Sequence, residues 1–233
     1  MHTAHRLTAA LTLAGAAALG LTGCLNKPSQ PFPGASAPKV LNESVTALRG
    51  ASSFTVSGKT VTKGVATHVN LSISKTGECT GTMSFPEGMV KVVRTHDHVF
   101  LQGDEAYARA WTQDLPEEDV EQAVKDATTR WMRKKPSDPA LKGLTSLCDR
   151  DGMLKAFYSF SGDAVESGPA EAAGRKAVSI VAAKHVFLVA TEGEPYLLKV
   201  TKAGPEGIDL AYTGINQPVQ VDVPGEQDVY DVD

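Results

Sequence analysis

The sequence predicts an α+β fold: one large, curled antiparallel sheet with helices packed on one face. Three observations lead there. Two groups of about five short strand signals flank a middle stretch of helical character. Within each group apolar residues recur at every second position, and Gly- and Pro-containing turns separate the runs at short intervals. Helices segregated from strands favour α+β over a parallel α/β sheet, and a sheet of about ten strands tends to curl. A curled sheet with helices across its mouth encloses space.

The elements follow in order. Val40, Leu41, Val45 and Leu48 recur at helical spacing between Lys39 and Gly50, and Gly50 is a plausible stop. Phe54 and Val56 share one face of the next segment. Val65, Thr67, Val69, Leu71 and Ile73 then alternate with mostly polar partners, the cleanest period-2 stretch in the chain. Cys79, Gly81, Met83 and Phe85 continue the pattern, and Pro86-Glu87-Gly88 turns the chain. Val90 and Val92, then Val99 and Leu101, flank a hairpin tip at Thr95-His96-Asp97-His98. From Asp104 to Phe160 the pattern is helical. Glu117, Glu118 and Asp119 follow Pro116 at a helix start, with Val120, Ala123, Val124 and Ala127 as the apolar face. Met153, Leu154, Phe157 and Tyr158 mark a later helix. Strands resume with Val178-Ile180-Ala182, Val186-Leu188-Ala190, Tyr196-Leu198-Val200 and Ile208-Leu210-Tyr212, and a last short strand is expected over Pro218–Val223.

The N-terminus carries its own signal. His2, His5 and Arg6 precede an uncharged run from Leu7 to Leu21, and Leu21-Thr22-Gly23-Cys24 follows. This is the layout of a secretory signal peptide, and its 15-residue apolar run is shorter than the about 20 residues a spanning helix needs. Residues 1–23 are read as the signal, residues 24–38 as the modified cysteine and a Pro-rich tether, and residues 39–233 as one domain. In PPII geometry the tether would lift the domain roughly 40–45 Å from a membrane. Leu21-Thr22-Gly23-Cys24 resembles the lipobox of bacterial lipoproteins, which implies a lipid on Cys24 and a location at the extracytoplasmic face of the cell membrane, with the N-terminal lipid as the contact.

Composition excludes several classes. The formal charge of −4 becomes −5 once residues 1–23 are removed, and no basic stripe suggests nucleic acid. With 42% hydrophobic residues there is enough for a real core. Cys79 and Cys148, 69 residues apart, match no zinc or redox spacing, and in an exported chain they read as a structural disulfide, with two buried thiols as the alternative. His96 and His98 share a face, but Asp97 between them points away and no third ligand is visible, so no metal or cofactor site is expected. Ser72-Ile73-Ser74-Lys75 and Lys75-Thr76-Gly77 match S-x-x-K and K-T-G motifs of penicillin-recognising enzymes. Those motifs come from separate segments, with the serine on a helix, whereas here they share Lys75 and Ser72 lies on a strand. No nucleophile–base pair is seen, and no enzyme is expected. Arg133-Lys134-Lys135 reads as a solvated turn rather than a clamp for lipid phosphate. His98-Val99-Phe100-Leu101 recurs as His185-Val186-Phe187-Leu188, a hint that the two strand groups play similar roles.

Several stretches together resemble actinobacterial lipoproteins of the LppX/LprG type. They are the Leu21–Cys24 lipobox, Ser-Phe-x-Val-x-Gly at Ser53–Gly58, Trp111 in a helix after a hairpin, Trp131 through the basic residues to Pro136, Gly-x-Pro-Tyr-x-Leu at Gly193–Leu198, and Pro-Val-x-Val at Pro218–Val221. The resemblance implies diacylglycerol on Cys24 and an open half-barrel with helices across its concave face. It also implies an apolar cavity that binds or carries an acylated lipid. On that reading the cavity is lined by Val69, Leu71, Ile73, Met83 and Phe85 from the first strand group and by Ile180, Leu188, Leu198 and Leu210 from the second. Val45, Leu48, Met153 and Phe157 close it from the helices. The alternative is a non-catalytic surface lipoprotein with a filled core that binds a protein or wall partner. Whether the space between helices and sheet is hollow or packed separates the two.

Overall fold

The computed structural model describes residues 32–232. Cys24, the signal segment and the first half of the tether lie outside the described residues. Helix α1 (Ala37–Gly50) begins two residues earlier than the periodicity suggests, because Pro38 suits the first helical turn, where its missing N–H costs nothing. Phe32, Ala35 and Ala37, in the stretch read as tether, pack against the core.

Five strands follow as a meander: β1 (Ser53–Thr62), β2 (Val65–Ser74), β3 (Cys79–Phe85), β4 (Gly88–Arg94) and β5 (Val99–Gly103). The middle segment holds α2 (Glu105–Trp111), α3 (Glu117–Thr129), a strand β6 (Trp131–Lys134), the single turn α4 (Lys142–Thr145) and α5 (Arg150–Tyr158). A second meander comprises β7 (Val165–Ala172), β8 (Arg175–Ala182), β9 (His185–Ala190), β10 (Leu197–Lys202) and β11 (Ile208–Thr213), and β12 (Val229–Asp231) ends the chain.

All twelve strands form one open sheet in the order β12-β6-β5-β4-β3-β2-β1-β11-β10-β9-β8-β7. The two meanders join where β1 pairs with β11, with Val56 opposite Tyr212 and Gly58 opposite Leu210. Gly58 sits at φ 138°, and a Cβ there would lie 1.9 Å from the Asp209 carbonyl oxygen, so this junction requires glycine.

Four expectations need correction. The second strand group does not begin at Val178: β7 (Val165–Ala172) precedes it, mostly exposed and with no apolar alternation to mark it, and pairs with β8. The middle segment is not wholly helical, because β6 is built into it. Its four residues are too few to display a period, and only Met132 among them is buried. The last strand is not Pro218–Val223. Pro218 and Pro224 remove ladder donors, that stretch stays irregular, and the strand forms at Val229–Asp231 instead. There it pairs with β6 in parallel, so the sheet is antiparallel except for this one pair.

The helices cover one face. The main core lies between α1, α5 and the sheet, where Leu41, Val45, Leu48 and Leu154 meet Phe54, Leu71, Ile73, Phe187, Val200 and Tyr212, all essentially without exposed surface. Phe54 and Tyr212 meet edge to face at 5.6 Å, as do Phe157 and Phe187 at 5.8 Å. Cys79 and Cys148 are bonded within this core, their Cα atoms 5.8 Å apart, so the link crosses from β3 to the segment leading into α5. Two smaller clusters occupy the other face. One groups Ala172, Ala177, Ala190 and Leu198, and the other Val93, Phe100 and Val229.

Candidate functional site

The residues expected to line a cavity mostly form solid core. Val45, Leu48, Val69, Leu71, Ile73, Met83, Phe157, Ile180 and Leu210 all belong to the main cluster, none more than 6% exposed, and Phe85 and Met153 pack against it. Leu188 and Leu198 are on the wrong face. They pack with Ala172, Ala177 and Ala190 on the side away from the helices. The causes differ. In β9 both parities are apolar, so alternation cannot orient it; Phe187 and Val189 face the helices instead. In β10 the register shifts between Leu197 and Lys199, so Leu197 and Val200 both reach the core and Leu198 points away.

The hollow lies elsewhere, under α2 and α3. Asp104 caps α2 by accepting from the Tyr107 N–H at 2.9 Å, and its other carboxylate oxygen accepts from the Met89 N–H at 3.0 Å, which seats the helix on β4. Gly88, at φ 137°, permits that approach, since a Cβ would stand 2.3 Å from the Tyr107 nitrogen. Arg109 then ties α2 to α3, bonding Glu105 at 3.0 Å and Glu121 at 2.9 Å and holding the Glu121 carboxyl below its usual range. These exposed pairs set helix position more than stability.

Beside Tyr107 and Trp111 of α2, the residues the two helices hold over the cleft are small: Ala108 from α2, Ala123 and Ala127 from α3. Beneath them Leu101 of β5 and Met132 of β6 leave a cleft of about 320 Å³, lined also by Tyr107, Trp111, Leu115, Tyr230 and Val232. Polar side chains at its wall, Asp126 and Lys134, are engaged by Arg130 at 3.6 Å and Asp138 at 3.0 Å. Burial pushes the Tyr107 phenol up to about 12, so it is a neutral wall. Trp111 and Leu115, 45% and 44% exposed, form an apolar lip. A second cleft of about 350 Å³ flanks α2 on its other side, sharing Tyr107 and Trp111 and bounded by Phe85, Leu141 and Leu144. Phe85, Tyr107 and Trp111 stand in a row at 6.1 Å spacings between the two.

Of the expected lining residues, Phe85 alone borders either cleft. The available signal was the apolar face of α3, whose members Val120, Ala123, Val124 and Ala127 are too small to fill the gap to a sheet.

The remaining candidates resolve as follows. Arg133 is neither in a turn nor free for phosphate. It lies on β6, bonds Asp231 through two nitrogens at 2.8 and 2.9 Å and Glu226 at 2.8 Å, and so fastens β12. His98 closes the hairpin tip, its N–H donating to Thr95 Oγ1 at 3.0 Å. Ser72 Oγ lies 2.8 Å from Thr55 Oγ1 across β1–β2. No group of His, Cys, Asp and Glu that could hold a metal occurs among the described residues. Nor is any described helix long and apolar enough to cross a membrane.

No protein-family model matches the chain, and no curated protein matches its sequence. Solved structures do match. The fold is similar to that of LprF. Against LprF from Mycobacterium bovis the TM-score is 0.52 at 10% identity, covering 81% of this chain and 96% of that one. The LppX/LprG-type expectation is therefore met as a fold. An uncharacterized conserved protein from Thermus thermophilus (TM-score 0.38, 9% identity, 84% of this chain and 99% of that one) and MucB (0.32, 16% identity, 82% and 61%) also match. At those scores neither bears on the site.

Proposed function

We propose that this chain is an exported, non-catalytic lipoprotein, anchored through Cys24, that takes the apolar tail of an acylated lipid into the α2–α3 cleft. The observation that carries the reading is a hollow walled by alanine, leucine, methionine and aromatic side chains, with its polar neighbours already paired. Its volume sits at the lower end of the roughly 300–1,000 Å³ usual for ligand pockets. It suits a stretch of one acyl chain rather than several chains side by side. Transfer of each methylene out of water contributes about 0.8 kcal/mol.

The test is native mass spectrometry of wild type and Ala127→Trp. The wild-type chain should carry lipid or take up an added fatty acid, and the variant, with the cleft filled, should not. Equal uptake by both would overturn the assignment of the cleft. The packed space under α1 and α5 favours a second reading, a surface lipoprotein that docks a protein partner on the Trp111–Leu115 lip. In that case Trp111→Ala would abolish partner binding while Ala127→Trp left it intact. The anchor is tested separately: Cys24→Ala should leave an unprocessed precursor or release the chain from membranes.

A further inference from the structure

A different cleft, of about 430 Å³, lies at the end of the core where α1 stops, β2 turns into β3, β4 ends and α5 begins. Each of those four points contributes a cation: Arg49, Lys75, Arg94 and Arg150. Two carboxylates accompany them, and both are occupied. Asp151 is held by Arg49 through two nitrogens at 2.9 and 3.3 Å, and Asp149 caps α5 by accepting from the Gly152 N–H at 3.0 Å. Lys75, Arg94 and Arg150 form no ion pair among the described residues.

Each of the two arginines buries a nitrogen that has no partner. Arg150 is 6% exposed. Its Nη2 donates to the carbonyls of Leu48, Arg49 and Ala51 at 3.2, 2.7 and 2.9 Å, closing the end of α1, and its guanidinium lies 5.2 Å from the Phe54 ring centre. Nη1 of the same group has no partner. Arg94 has one long contact, Nη1 to the Thr145 carbonyl at 3.5 Å, and its Nε has none. Among the described residues these two nitrogens are the buried side-chain polar atoms left unsatisfied, and both belong to arginines of this one cleft. An unpaired buried cationic donor is costly, and burial pushes the Arg150 pKa down without discharging it.

The covalent framework brings the pair together. Cys79 is the cross-strand partner of Arg94, and Cys148 precedes Arg150 by two residues, so the Cys79–Cys148 bond ties the strand bearing one arginine to the helix start bearing the other.

We propose that this cleft binds a phosphate-bearing anion through Lys75, Arg94 and Arg150. The unpartnered Nη1 of Arg150, the loosely held guanidinium of Arg94 and the Lys75 ammonium match the charge and several oxygens of a phosphate better than those of a chloride or a single carboxylate. The loosely held Arg94 can re-aim toward the ligand, and the volume leaves room for an ester substituent. The site shares no lining residue with the α2–α3 cleft and stands whether or not that cleft takes an apolar tail.

Calorimetry on the full chain in detergent tests this, with inorganic phosphate titrated against chloride at equal ionic strength. Saturable phosphate binding is expected, weakened about tenfold or more by Arg94→Gln and by Lys75→Gln and unchanged by Lys39→Gln at the opposite end of α1 from Arg49. Arg150→Gln is avoided because it also uncaps α1. Glycerol 3-phosphate and dibutyryl phosphatidic acid distinguish the source. Tenfold tighter binding of the latter identifies a lipid headgroup, and equal binding a free phosphate ester. The proposal is overturned if phosphate shows no saturable binding up to about 10 mM, or if folded Arg94→Gln and Lys75→Gln bind it as wild type does.

Discussion

The same face of the same sheet is covered in two ways. Over β1, β2 and β8–β11 lie α1 and α5, which bury Val40, Leu41, Val45, Leu48, Leu154 and Phe157. Over β5 and β6 lie α2 and α3, which fully bury only Ala108 and Val124 and otherwise line the cleft with Ala123, Ala127 and the rings of Tyr107 and Trp111. The first half is filled by large side chains and the second leaves a cleft. Both coverings are helical and apolar; what differs is side-chain volume. A helix that brings leucines and phenylalanines to a sheet makes core, and one that brings alanines leaves a site.

The comparison can be broken or sharpened experimentally. The largest effect should come from the bond that pins the filled half. Replacing Cys79 and Cys148 together with serine opens a loop of 69 residues and should cost about 2–5 kcal/mol, read as a fall in denaturation midpoint that reductant no longer deepens. The next test places one bulky residue in each half. Leu71→Trp overpacks a site with no exposed surface and should cost about 1–3 kcal/mol by urea denaturation. Ala127→Trp should shift stability by under about 1 kcal/mol, since it enters existing space. Equal losses in the two variants would show that the α2–α3 cleft closes up in solution.

The smallest effect concerns β12, whose Tyr230 and adjoining Val232 line the cleft. Arg133 holds the Asp231 carboxyl below its usual range, chiefly by hydrogen bonding. A carboxylate depressed in the folded state contributes stability above its unfolded value near pH 4 and loses it as pH falls through the folded value. Asp231→Asn should therefore abolish a small acid-side loss of β12 protection in hydrogen exchange while leaving the neutral core unaltered. Persistence of that loss in the variant would assign it to another group.

The recurring His-Val-Phe-Leu shows what local pattern can and cannot decide. In β5 Val99 and Leu101 face the core and Phe100 faces away, whereas in β9 Phe187 faces the core and Leu188 faces away. Identical letters take opposite orientations because the neighbouring strands and the helices above them choose the parity. The first five-strand meander, four strands of the second, the opening helix, the turns and the pairing of Cys79 with Cys148 were legible in the sequence, since period, turn chemistry and cysteine count are properties of short stretches or of composition. β6, β7 and β12 were not: β7 is mostly exposed and shows no alternation, and β6 and β12 are a few residues long and take their place by pairing with strands distant in sequence, β6 with β5 and β12, β12 with β6 across some hundred positions. Nor could the sequence locate the hollow or gather Arg49, Lys75, Arg94 and Arg150 at one cleft. Apolar residues look alike whether they line a void or fill it, and the volume left over depends on side chains that only the assembled sheet and helices bring face to face.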